Sequence, residues 1–135
     1  VLVNNKTHFG VGIYQFKRKD LKSISEKVWT AIENTLLAAG YNPEIVDEYM
    51  RQAGEIHFAK NNNRRASAWV TKVAEYCYIY IGDEYLDVDE MYRDTIGVVM
   101  SDYLYTSPVN PRDYCFVNEE MPRALSELTG LPAFK

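Results

Sequence analysis

The sequence predicts an α+β fold: a small antiparallel sheet of three or more strands, with four to five helices packed on one face. Three observations carry this expectation. Apolar residues alternate with a period of two near the N-terminus and again around Ile56. Elsewhere they recur at helical spacing, with capping residues at the starts. Gly40, Gly54 and Gly130 fall where those helical stretches should stop. At 135 residues the chain fits a single domain, 1–135.

Residues 1–14 read as a β-hairpin, with Asn4-Asn5-Lys6-Thr7 as its turn. Phe9, Val11 and Ile13 share the core parity, and His8, Gly10, Gly12 and Tyr14 the other. The chain opens at Val1, within a strand and without a methionine, so the native N-terminal segment is expected to be missing. A basic connector, Phe16 to Leu21, leads to the clearest helix. Ser23 and Glu26 have capping-box spacing, and Ile24, Val28, Ile32, Leu36 and Ala39 form one apolar stripe, with Ala31 and Thr35 beside it. A second helix starts at Asn42-Pro43-Glu44, with Val46, Tyr49, Met50 and Ala53 on its apolar side. The short link makes an αα-hairpin.

Glu55 to Ala59 reads as a third strand, with Ile56 and Phe58 facing the core and Glu55 and His57 facing away. Asn61-Asn62-Asn63 turns the chain into a third helix carrying Ala66, Trp69, Val70, Val73, Ala74 and Cys77 on one side, to about Tyr80. An acidic linker from Asp83 precedes a helix expected over Val88 to Leu104. Tyr105 to Val117, with Pro108 and Pro111, reads as a loop. Asn118-Glu119-Glu120 opens a last helix through Leu128.

Composition narrows the function classes. The chain is 47% hydrophobic and 25% charged, as in an ordinary globular protein. Its net charge of −4 and isoelectric point near 5.2 disfavour general nucleic-acid affinity. Eleven tyrosines, rings with a polar tip suited to half-buried surfaces, point to binding. Cys77 and Cys115 match no zinc or redox spacing and read as reduced thiols, which with the lack of a signal peptide suggests the cytoplasm. No apolar run nears the ~20 residues that span a bilayer, so no membrane association is expected.

No Walker loop, dinucleotide-binding glycine motif, nucleophile elbow or zinc-protease motif occurs. Without a catalytic set the reading leans against an enzyme, and it names no catalytic residue, cofactor or metal. Two constellations stand out. Lys60, Asn61, Asn63, Arg64 and Arg65 gather cations and amides where a helix begins, a pattern suited to an anion or an acidic partner. His8, Glu55 and His57 share the outward parity of two strands and form a weaker candidate, able to hold a metal only if those strands are neighbours. The acidic residues from Asp83 to Asp94 lack the glycine of a calcium loop and read as a solvated linker. Arg51 precedes His57 at a spacing used by helical ribonucleases, but Gly54 breaks the helix between them.

Several landmarks occur in a familiar order: VLVNNKTHFGVGIY, LLAAGYNPEIVDEYM, GEIHFAKNNNRR and VNEEMPRALSEL. In these the chain resembles an uncharacterised bacterial domain family, a domain of unknown function. Gly54, Glu55, Lys60 and Arg64 match its pattern; Ala68, Trp69 and Thr71 depart from it. The resemblance implies a small α+β protein. It also implies an N-terminal segment ahead of Val1, expected to add an edge strand, and it brings no activity. The sequence therefore points to a small bacterial or phage-type protein that binds another protein or regulates it. The alternative is a nucleic-acid binder or nuclease using the basic turn at residues 60–65. Oligomeric state is open.

Overall fold

Hydrogen bonds to Asn4 shape the first turn. Its Oδ1 accepts from the backbone N–H groups of Lys6 and Thr7, each at 2.9 Å. The His8 N–H donates to the Asn4 carbonyl, and the Asn4 N–H to that of Phe9. This loop joins strands β1 (Leu2–Val3) and β2 (Gly10–Val11), with Leu2 opposite Val11 and Val3 opposite Gly10. The hairpin is thus shorter, and its turn longer, than the alternation suggests. Phe9 and Val11 are buried as expected. The computed structural model describes residues 1–13, 16–82, 104–106, 110 and 112–135.

The basic connector contains a 3₁₀ segment, Arg18–Ser23, where Asp20 Oδ2 accepts the Lys17 N–H at 2.8 Å. Helix α1 (Ile24–Ala38) follows. Ser23 stands at its N-cap, but its hydroxyl bonds back to the Asp20 carbonyl, so the expected capping box with Glu26 does not form. Ala31, Thr35 and Leu36 are its most buried residues. Gly40 then takes a φ of 85°, the left-handed turn that only glycine adopts without strain.

Helix α2 (Pro43–Gln52) begins as its sequence dictates. Asn42 Oδ1 accepts the Glu44 N–H, and Pro43 sits where no donor is needed. Ile45 and Val46 are fully buried. Helix α3 (Arg64–Gly82) buries Trp69 and Val73 and runs slightly past Tyr80. Strands β3 (Leu104–Thr106) and β4 (Tyr114–Phe116) form a second antiparallel pair, with Tyr105 opposite Cys115. Helix α4 (Val117–Thr129) closes the fold with Val117, Met121 and Leu125 inward. Gly130 ends it at a φ of 73°. The Asn42 N–H donates to the Ala133 carbonyl, tying the C-terminal tail to the start of α2.

The class is α+β, but its arrangement corrects the expectation. Among the described residues there are four α-helices and two separate two-stranded ladders, not one sheet of three or more strands with helices on one face. The core lies where α2 meets α1 and α4, with the β1–β2 hairpin against α1 and α3. Glu55 to Ala59 is not a strand: α2 and α3 are joined by an irregular connector, residues 53–63. Alternation alone supplies no ladder; a strand needs a neighbour for its backbone, and none pairs here among the described residues. Conversely, the loop expected over Tyr105 to Val117 contains β4 and most of β3. Its prolines masked two short strands whose hydrogen bonds come from each other. The helix expected over residues 88–104 and the acidic linker from Asp83 fall almost entirely outside the described residues, and Leu104 itself is in β3.

Candidate functional site

The basic turn is present, and its asparagines are engaged. Asn63 Oδ1 accepts the Ala66 N–H at 3.1 Å, which makes Asn63 the cap of α3. Asn61 Oδ1 accepts the Asn63 N–H, and Asn61 Nδ2 donates to Ser67 Oγ at 2.7 Å. Ser67 Oγ donates in turn to the Asn63 carbonyl. The amide groups therefore build the turn before any ligand could use them. Lys60, Arg64 and Arg65 remain exposed and make no ion pair among the described residues. Two other arginines are paired: Arg51 with Glu48 at 2.6 Å, and Arg123 with Glu120.

Phe58 sits two residues before Lys60 and is 77% exposed. The alternation assigned it to the core; the connector instead presents it to solvent. Composition shows no trace of this, because a phenylalanine in a strand-like pattern reads as core.

The three weaker candidates do not come together as strand neighbours. Glu55 and His57 stand exposed on the connector. His8 lies in the β1–β2 loop, with a φ of 60°, so strand parity does not apply to it. Its ring stacks on Tyr105, 4.0 Å between centroids and 19° between planes, and approaches Trp69 at 5.2 Å. The Trp69 Nε1–H donates to the His8 carbonyl at 2.9 Å. His8 Nδ1 is buried without a hydrogen-bond partner. Burial and the Arg65 charge hold this imidazole below the usual histidine range, so the neutral form is favoured. Burial, first of all, pushes the Tyr105 hydroxyl up to about 12. Among the described residues no three His, Cys, Asp or Glu side chains converge as a metal site would require. Sequence reasoning missed this aromatic cluster because Tyr105 was assigned to a loop. The one available signal was Trp69, whose indole N–H needs an acceptor once the ring is buried.

A cavity of about 220 Å³ opens between the hairpin and α1, lined by Leu2, Val3, Phe9, Val28, Ile32 and Tyr49, among others. It offers apolar surface and no pair of titratable groups for acid–base work. No helix among the described residues is long and apolar enough to cross a membrane.

The fold and surface define a small α+β protein with a solvent-facing basic turn and no assembled catalytic constellation among the described residues. The family model for a domain of unknown function, DUF6933, matches residues 1–120, and the chain belongs to that family. No curated protein and no solved structure matches the chain.

Proposed function

We propose that the protein is a non-catalytic interaction or regulatory module that docks an acidic protein partner through residues 53–65. One observation carries this: Phe58 is 77% exposed within a few residues of Lys60, Arg64 and Arg65, and those cations have no ion pair among the described residues. An aromatic anchor flanked by charges is what a small interface centre requires. Among the described residues the connector has no ladder partner, so it can settle against a partner protein at little structural cost. The proposal places this activity in the cytoplasm, in keeping with the free thiol of Cys115.

The test is a pull-down from the native host with the full chain, Phe58→Ala, and the Arg64→Ala/Arg65→Ala pair. The expected result is one defined partner retained by the unmodified chain and lost by both variants, with folding unchanged. Recovery of the same proteins by all three would overturn the reading.

A second reading is favoured by the same exposed ring. An exposed phenyl group a few residues from guanidinium groups is also a pattern suited to a nucleic-acid base with its phosphate. Binding to RNA and DNA at two salt concentrations separates the two. Phosphate contacts weaken steeply with salt, by a log–log slope of roughly one per cation engaged. No binding in low salt removes the nucleic-acid reading.

A further inference from the structure

We propose that His8 is an acid-released latch: the neutral imidazole clamps the β1–β2 loop onto α3 and β3, and its protonation frees that loop. The loop is held from three sides. Trp69 of α3 donates its indole N–H to the His8 carbonyl at 2.9 Å. Tyr105 of β3 stacks on the His8 ring at 4.0 Å, and its hydroxyl donates to the Lys6 carbonyl at 3.4 Å. Thr7 Oγ1 donates to the Met121 sulfur on α4 at 3.2 Å. The His8 backbone takes a φ of 60°, a left-handed conformation in which histidine is enriched but which still carries strain. The ring contacts and the Trp69 hydrogen bond hold it there.

Protonation opposes this arrangement. Nδ1 is buried with no partner, so a proton placed on it would find no acceptor. The charged groups around the cluster do not compensate. Arg65 on α3 repels an imidazolium, and the Lys72 ammonium lies over the Trp69 ring at 5.4 Å. Tyr105 stays uncharged, with its hydroxyl at about 12. Cys115 on β4 and Glu120 and Arg123 on α4 act on Tyr105, and the two α4 groups pair with each other. Lys6 in the loop itself pairs with Glu127 at 3.6 Å. No carboxylate among the described residues hydrogen-bonds the imidazole. The aromatic faces return part of the cost as cation–π attraction, but they supply no hydrogen-bond acceptor.

The sign follows from linkage. The latched state holds His8 below 6.5, its ordinary value, so the released state binds more protons between that lowered value and 6.5. The latch is therefore at full strength above that window. It weakens as pH falls through it and is constant below. Each unit of lowering corresponds to about a tenfold change in the opening equilibrium.

The chain has only two histidines and two tryptophans, His8 and His57, Trp29 and Trp69. The full chain carrying His57→Gln and Trp29→Phe therefore isolates one ring resonance and one fluorophore. Nuclear magnetic resonance should show the His8 ring titrating below 6.5, with Trp69 emission changing at the same midpoint. Adding Arg65→Gln should move both midpoints upward together. Adding His8→Phe, which keeps a ring to stack on Tyr105, should leave Trp69 emission flat across the range. A His8 midpoint at or above 6.5, or a Trp69 transition that persists in His8→Phe, would overturn the proposal. Should His8→Phe fail to fold, the coupled shift in Arg65→Gln decides the matter: separate midpoints for ring and indole overturn it.

Discussion

The dipeptide His-Phe occurs twice in this chain, as His8-Phe9 and His57-Phe58, each time within an alternating apolar stretch. The two copies meet opposite fates. Phe9 is 3% exposed and makes an edge contact with Tyr41. His8 beside it stacks on Tyr105 and lies at a tilt to Trp69. Phe58 is 77% exposed, and His57 stands in solvent on the connector. Local pattern is the same; what differs is what the rest of the chain brings alongside. The first copy has Asn4 to close its loop, β1 to pair the strand it leads into, and α3 and β3 to cover the His8 ring. The second follows a helix end and has no ladder partner among the described residues. One copy has become structure, and the other exposed surface.

That contrast can be broken most directly at the phenylalanines. Phe9→Ala empties a buried site and should lower unfolding free energy by about 3–5 kcal/mol in urea titrations. Phe58→Ala should change it by less than about 0.5 kcal/mol. Similar losses at both positions would mean that Phe58 is packed and the connector reading is wrong. Next in size is Trp69→Phe, which keeps most of the apolar ring but strips the donor from the His8 carbonyl. A buried acceptor left alone should cost about 1–3 kcal/mol. Hydrogen exchange at the His8 and Phe9 amides should quicken alongside that loss, since the loop is tied to α3 through this bond.

The asparagines offer a finer comparison. Asn4→Ala removes one acceptor that serves two backbone donors, and should cost about 1–2 kcal/mol. Asn61→Ala removes an exposed turn contact and should cost less than about 0.5 kcal/mol in the same urea titrations. Smallest of all is the expected effect of Arg64→Ala, within about 0.3 kcal/mol for an exposed cation with no ion pair among the described residues. On the proposed function, its consequence falls on binding. A large stability loss there would mean that Arg64 holds the fold together rather than serving a partner.

How much of this was legible beforehand differs by element. Helix α2 was readable almost to the residue, because Asn42, Pro43 and Gly54 act through their own backbone neighbourhoods. The last helix was readable for the same reason, with Glu119 and Glu120 in its first turn and Gly130 at its end. The β3–β4 pair was not, since each strand is three residues long and owes its existence to the other. The basic turn was visible as composition. That its asparagines are consumed by Asn63 capping and the Asn61–Ser67 contact, leaving the cations as its available groups, needed coordinates. The His8 cluster joins residues 8, 69 and 105, and no spacing rule connects them.

By itself, then, the sequence determined where α1, α2 and α4 start and stop, that the class is α+β, and that a basic turn opens α3. Those properties arise within a few residues, from backbone donors, proline and glycine dihedrals, and periodicity along one element. Tertiary structure alone decided which His-Phe pair is buried, which alternating stretch becomes a strand, and whether His8 faces solvent or Tyr105. Each of these depends on a partner far away in sequence, and burial is a property of the pair rather than of either residue.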